Sequence, residues 1–191
     1  MRNYVCYTGY SPSKDSDCIW YNFNNSSYKQ CEYLIQKGHK KIGYLGNNHG
    51  YVSREKVLGI SSALEDHNLT VQEEFFYYSE EEYDRILNLI RQNKGPSAII
   101  CQWDYTAMKL IKHLHDNGVK VPEDISVMGY GNTEMSALCI PALTTMELYI
   151  DYACESTVAL LLKRFGRADK PYENILIHSI LIERDSVKSI G

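Results

Sequence analysis

Ser97-Ala98-Ile99-Ile100-Cys101, then Asp104-Tyr105-Thr106-Ala107-Met108-Lys109-Leu110-Ile111-Lys112-His113-Leu114-His115-Asp116-Asn117-Gly118, then Val121-Pro122-Glu123-Asp124-Ile125-Ser126-Val127-Met128-Gly129-Tyr130 form one decipherable unit. The first segment is apolar without alternation, which is how a strand covered on both faces reads. In the second, Ala107, Leu110, Ile111 and Leu114 recur at helical spacing and Gly118 supplies the stop. After Pro122, residues 125–130 read as another strand buried on both sides. Strand, helix and strand of these lengths make a βαβ unit, whose crossover is right-handed and whose strands are parallel.

The same alternation continues upstream. Residues 41–45 read as a strand and 46–50 as its exit loop. Ser53 is expected to cap a helix that buries Val57, Ile60, Ala63 and Leu64. Residues 74–78 read as a strand, and 79–92 as a helix carrying Tyr83, Ile86, Leu87 and Ile90. Between about Lys40 and Tyr130 the chain is therefore a doubly wound α/β lobe. Toward the N-terminus, strands are expected at 3–8 and 17–22, separated by a turn-rich segment. A helix capped by Ser26 or Ser27 follows, with Tyr28, Cys31, Leu34 and Ile35 on one face and Gly38 at its end. Beyond 130 the expectation is a strand at 143–148, a helix at 149–165 with Ala153, Leu160 and Leu161 inward, and two short strands or one bent strand within 174–183. Residues 135–140 read as an apolar loop.

Bulk properties exclude several functions. The chain has 191 residues, 44% hydrophobic, enough for a real core, and a formal net charge of −4 with its 20 Lys and Arg spread along the sequence. That lacks the basic footprint of a phosphate-backbone binder. No apolar run approaches the roughly 20 residues that cross a bilayer, and no signal-peptide pattern opens the chain, so a cytoplasmic location without membrane contact is expected. Cys6, Cys18, Cys31, Cys101, Cys139 and Cys154 contain no Cys-x-x-Cys pair, which argues against disulfides and zinc alike. The sequons at Asn24, Asn25 and Asn68 are chance matches without a secretory signal.

Catalysis finds no support. His113 and His115 are two apart and point away from each other on a helix, so they make no metal pair. No nucleophile elbow, phosphate loop or dinucleotide fingerprint occurs. The acidic run Glu80-Glu81-Glu82 with Asp84 suits a helix N-terminus, and His39 and Asp104 read as structural punctuation. No catalytic residue, metal or cofactor is expected.

Five phrases carry a resemblance. The segment Tyr33-Leu34-Ile35-Gln36-Lys37-Gly38-His39-Lys40-Lys41-Ile42-Gly43-Tyr44-Leu45-Gly46 is followed by Ser53-Arg54-Glu55-Lys56-Val57-Leu58-Gly59-Ile60 with Ala63-Leu64. The segment Val121 to Tyr130, Pro141-Ala142-Leu143-Thr144-Thr145, and Leu181-Ile182-Glu183-Arg184-Asp185-Ser186 complete the set. In order and spacing these resemble the effector-binding part of the lactose/galactose-repressor (LacI/GalR) family of bacterial transcription regulators. The resemblance implies a periplasmic-binding-protein-like fold with a complete C-terminal doubly wound lobe (40–142 and 167–191) and a truncated N-terminal lobe (1–39 and 143–166). It also implies that a DNA-binding helix-turn-helix head and the start of the core are missing from these residues, so that operator DNA would be reached only through that head.

The resemblance further implies a small-molecule effector, a sugar or a nucleoside-like compound, bound between the lobes and contacted by Tyr21, Asn47, Ser53, Arg54, Lys56, Ile100, Trp103 and Gly131. Several positions depart from the family pattern. Tyr21 and Gly131 stand where carboxylates are usual, Lys56 where Arg is usual, and Trp103 where Asn is usual. Two acceptors for sugar hydroxyls are thereby lost while an indole and a phenol are gained, which favours a ligand with a planar or apolar face. For Tyr21 and Trp103, burial for packing alone stays open. The resemblance also implies a homodimer, with Met108, Met135, Leu138 and Cys139 at the contact. Two alternatives stay open: a solute-binding protein for uptake, which shares the architecture, and a fragment that only dimerises.

Overall fold

The computed structural model describes residues 4–7, 15–46 and 50–190. It falls into two compact units, Met1–Asn22 with Leu148–Ser179, and Phe23–Glu147 with Ile180–Gly191.

The larger unit contains α1 (Phe23–Gln36), β3 (Ile42–Leu45), α2 (Tyr51–Asp66), β4 (Phe76–Tyr77), α3 (Tyr83–Arg91), β5 (Ala98–Cys101), α4 (Asp104–Asp116), β6 (Ser126–Met128), α5 (Glu134–Leu138), β7 (Thr145–Glu147) and β9 (Ile180–Ile182). The smaller holds β1 (Val5–Tyr7), β2 (Asp17–Tyr21), α6 (Ile150–Gly166) and β8 (Asn174–Ile177). The fold is α/β, with parallel sheets in both units.

In the larger unit four parallel strands run in the order β4-β3-β5-β6. The unbroken apolar run of β5 follows from its central place. Ile99 and Cys101 enter the cluster with Ile86, Leu87, Ala107, Leu110 and Leu114 of α3 and α4. Ala98 and Ile100 enter the opposite cluster with Cys31, Leu34, Ile60, Ala63 and Leu64 of α1 and α2. With alternate side chains on opposite faces and helices over both, every position must be apolar, and each large aliphatic buried there contributes about 1.5–3 kcal/mol. The winding reverses at β3, which pairs with β4 on one side and β5 on the other. Such a reversal opens a crevice at the carboxyl ends of the two diverging strands.

Beyond β6 the sheet is extended by parallel bridges Met128 to Thr144 and Gly131 to Glu147, and β7 pairs antiparallel with β9. The C-terminal segment is stitched on through Ser186, whose Oγ donates to Val127 O at 2.6 Å and accepts from Thr144 N at 2.9 Å.

Several expectations are corrected. Helix α1 starts at Phe23, four or five residues earlier than a cap at Ser26 or Ser27 would give, with Phe23 itself buried; Ser26 and Ser27 lie inside the helix and are buried instead of capping it. Helix α2 starts after Gly50, so Ser53 is an internal residue with a different task. Residues 74–78 become a 3₁₀ turn (Glu73–Phe75) followed by the two-residue β4. The apolar segment after Thr133 forms the short α5. Of the two alternatives for 174–183, the structure has the two short strands, and they join different sheets, β8 beside β2 and β9 beside β7.

The division between units also falls at Asn22/Phe23, not near 39. Helix α1 packs on α2 so closely that a Cβ on Gly59 would stand 2.1 Å from the Asn24 carbonyl oxygen.

The smaller unit is a parallel sheet, β1-β2-β8, against α6. Its buried Asp17 accepts from Arg164 Nε at 2.9 Å and Nη2 at 3.0 Å, from Lys170 Nζ at 2.8 Å, and from Glu173 N at 2.8 Å. Burial alone would raise the Asp17 pKa, but the Arg164 and Lys170 bonds outweigh it and hold the carboxyl well below the usual range.

Candidate functional site

The carboxyl ends of β3, β5 and β6 bring Tyr44, Gln102, Trp103 and Tyr130 to one edge of the larger sheet. The Tyr44 hydroxyl donates to Ser53 Oγ at 3.0 Å, and Ser53 Oγ donates to Gln102 Oε1 at 3.3 Å. Lys56, one helical turn beyond Ser53 on the inner face of α2, is fully buried and donates from Nζ to Gln102 O at 2.6 Å.

Around Lys56 Nζ stand three rings. Nζ lies 3.5 Å from the Tyr130 centroid, 4.9 Å from that of Trp103 and 5.9 Å from that of Phe23. The rings meet edge to face or tilted, with centroids 6.1 Å (Phe23 to Trp103), 5.8 Å (Trp103 to Tyr130) and 5.9 Å (Phe23 to Tyr130) apart. Ring faces carry negative charge and attract a cation. Burial nevertheless drives the Lys56 pKa well below that of a free lysine, while the Asp104 charge pulls the other way.

Asp104 organises the next layer. It opens α4, is buried, and accepts from Thr133 N at 2.8 Å, Thr133 Oγ1 at 3.0 Å and Thr145 Oγ1 at 2.5 Å. Gly129 is required here, since a Cβ would lie 2.3 Å from Asp104 Oδ1. Outside this layer Arg184 ties the segments together, donating to Leu143 O at 2.8 Å, Ser136 Oγ at 3.1 Å and Asn132 Oδ1 at 2.6 Å.

Of the expected contact residues, Ser53, Lys56 and Trp103 are brought together. Gly131 lies beyond β6, where a Cβ would come within 3.4 Å of Asp104 Oδ2. Arg54 sits on the exposed side of α2, away from the cluster. Ile100 is a correction: it is fully buried in the α1/α2 cluster and serves the core, because both faces of β5 are covered. Tyr21 is buried at the carboxyl end of β2, in the smaller unit. Asn47 lies outside the described residues.

Sequence reasoning missed Tyr44, Gln102, Phe23 and Tyr130. A hydroxyl within the buried strand 42–45 was the available signal, since a buried phenol needs a hydrogen-bond partner. Phe23 and Tyr130 are 107 positions apart in the chain and only the fold makes them neighbours.

Of the expected interface residues, Met135 and Leu138 are exposed, and Met108 and Cys139 are half-buried against the α3/α4 core. A groove of about 550 Å³ is lined by Met108, Ile111, Cys139 and Ile140 together with the polar Lys112, His115 and Asp116, with Ile140 92% exposed at its rim. Among the described residues no cluster of three metal-ligating side chains occurs, and no helix is long and apolar enough to cross a membrane.

A profile of the periplasmic binding protein-like domain matches residues 31–187. The chain belongs to this family. The domain is 32% identical over 182 residues, 93% of this chain, to the HTH-type transcriptional repressor PurR of Mannheimia succiniciproducens, and 33% identical over 184 residues, 94% of this chain, to that of Pectobacterium carotovorum. In both cases it spans 54% of the relative's length, so the chain spans about half the length of the curated relatives it matches. In fold the domain is similar to a LacI family transcriptional regulator from Enterococcus faecium with bound ribose. The TM-score is 0.85 at 20% identity, covering all of this chain and 72% of that one. It is similar also to the transcriptional regulator CelR in its cellobiose complex, with a TM-score of 0.82 at 19% identity, covering 96% of this chain and 58% of that one.

Proposed function

We propose that this domain is the effector-sensing and self-associating part of a LacI-type transcription repressor. The similarity to repressors over more than nine-tenths of the chain carries this reading, and these relatives are regulators, not enzymes. DNA recognition then falls to a head outside these residues, in keeping with the net charge of −4.

The effector is taken at the carboxyl edge of the four-stranded sheet, beside Trp103. Solved relatives hold ribose and cellobiose. A nucleoside-like compound joins a ribose to a planar base, and that base suits the indole of Trp103 as a stacking face. Ligand binding would shift the population of domain conformations, and through it the DNA-binding state of the whole protein.

A thermal-shift screen of ribose, cellobiose, nucleosides and aromatic glycosides tests this, because a ligand at 100 times its Kd stabilises by about 2.7 kcal/mol. Nucleosides should raise the midpoint, and Trp103→Ala should remove the rise. If no compound shifts the midpoint, or Trp103→Ala leaves the shift intact, the proposed site is wrong. Self-association is assigned to the face around Met108, Met135, Leu138 and Cys139, where exposed apolar groups mark an interface. Replacing Met108 and Leu138 together with Glu should weaken it by at least tenfold in sedimentation, since an isologous contact suffers each charge twice. An unchanged association constant would move the interface elsewhere.

A further inference from the structure

Gly131 brings no carboxylate to the carboxyl edge of the sheet, but the strand beside it does. Gly131 has a φ of +135°, in the region that favours glycine, and a Cβ there would meet Asp104 and Thr133 at ordinary contact distances of 3.4 Å and 3.7 Å. The residue bridges in parallel to Glu147, the last residue of β7, and Gly131 N donates to Met146 O at 2.8 Å. Strand β7 therefore ends at the same edge as β3, β5 and β6, and its last side chain is a carboxylate.

The pleat decides the face on which Glu147 stands. Thr145, two residues earlier and so on the same side of the strand, donates from Oγ1 to Asp104 Oδ1 at 2.5 Å. Gly129, two residues before Gly131, would send a Cβ to within 2.3 Å of that same oxygen. Both alternations set position 131 and Glu147 on the side of α4, near the helix N-terminus that Trp103 opens.

Glu147 is half-buried and its carboxylate is held. Oε2 accepts from Asn132 Nδ2 at 2.5 Å, and Asn132 Oδ1 accepts from Arg184 Nη2 at 2.6 Å. A guanidinium only donates, so it fixes the Asn132 amide with its oxygen toward Arg184 and its nitrogen toward Glu147. Arg184 is locked in turn by Leu143 O and Ser136 Oγ. A carboxylate has about four acceptor sites, so supporting Asn132 is compatible with taking protons from two adjacent ligand hydroxyls, in bonds strengthened by its charge.

Spacing selects the ligand. Strand β7 follows β6, which follows β5, and strands stand about 4.8 Å apart, so the ends of β5 and β7 are about 10 Å apart. Trp103 follows β5. A base stacked on its indole would extend its ribose toward Glu147.

We propose that Glu147 is the hydroxyl acceptor of this edge and binds the cis-diol of a ribose, with Asn132 and Arg184 as positioning residues. This rests on the reading that the effector lies beside Trp103. It returns, from a neighbouring strand, one of the two acceptors that Tyr21 and Gly131 remove.

Calorimetric titration of the full 191-residue chain with adenosine, guanosine, cytidine, uridine, their 2′,3′-dideoxy counterparts and free ribose tests it. The wild type should bind a ribonucleoside about tenfold or more tightly than its dideoxy counterpart, the scale of a hydrogen bond to a charged group. Glu147→Gln keeps an oxygen for Asn132 Nδ2 and loses the charge. It should weaken the ribonucleoside by about tenfold or more and leave the dideoxy compound within about threefold, so that the preference disappears. Trp103→Ala should weaken both compounds and keep the preference between them. Circular dichroism with thermal midpoints would confirm that each variant folds. A wild type that ignores the hydroxyls, or a Glu147→Gln variant that keeps the preference or weakens both compounds equally, would overturn the proposal and leave stacking on Trp103 standing. Ribose binding that depends on Glu147, with no nucleoside bound, would uphold the acceptor and overturn the stacking. Binding of none of these compounds would overturn both.

Discussion

Two buried ionisable groups in this protein are accommodated in opposite ways, and their pH behaviour should differ accordingly. Asp17 has two cations and a backbone N–H on its oxygens, and its carboxyl is held well below its ordinary value. A depressed carboxylate contributes stability that is present above about pH 4 and lost as the pH falls below it. Asp17→Asn should destabilise the fold by about 3–5 kcal/mol at neutral pH, because Arg164 and Lys170 keep their burial and lose their counter-charge. The gap between wild type and variant should narrow in urea melts between pH 5 and pH 2.5; a constant gap would disprove the ion-pair account. Lys56 has one carbonyl acceptor and three ring faces, and its pKa is driven down by burial. Between that lowered value and about 10.4, the unfolded chain holds a proton that the folded one has released, so stability rises with pH across the window. Lys56→Met removes the group and with it the rise. Wild type should therefore gain on the variant as pH increases from 6 to 10, and parallel stability profiles would show that Lys56 keeps an ordinary pKa.

At the scale of elements, the pair α1 and α2 is held by closeness of backbones more than by large side chains. Gly59 permits the approach, and Gly59→Ala would press a methyl group into the Asn24 carbonyl. Overpacking of this kind costs about 1–3 kcal/mol, against a helix-propensity gain for Ala of about 1 kcal/mol. The variant should melt several degrees lower and show faster amide exchange in α1; a variant as stable as wild type would mean that α1 slides without penalty. Helix positions were legible because Cys31, Leu34, Ile60, Ala63 and Leu64 recur at helical spacing and are buried together. Helix starts were less so. Ser26, Ser27 and Ser53 look like caps by residue type, yet Phe23 buries its ring one turn earlier and Ser53 turns inward to Tyr44 and Gln102.

For the whole molecule, stability should follow the depth of the sheet. Strands β5 and β6 are covered on both faces, so the amides of residues 99–101 and 126–128 should exchange slowest. Rapid exchange there would contradict the placement of β5 at the centre of the sheet.

The sequence by itself determined the class of fold, because the period of its apolar residues switches between 2.0 or continuous in strands and 3.6 in helices, and that periodicity is local. It also determined the family, through phrases such as Val121 to Tyr130 that lie in one stretch of chain. Only the tertiary structure decided what meets whom. Ile100 was expected at a ligand and lies in the core, because the pleat sends it toward α1 and α2. Lys56 is singled out in the sequence only by the resemblance, as a ligand contact, and only the fold brings Phe23, Trp103 and Tyr130 around it from separate parts of the chain. Asp17 and Arg164 are 147 positions apart, yet they form the buried pair of the smaller unit. Such contacts depend on loop closure and packing across the chain, and no local pattern encodes their partners.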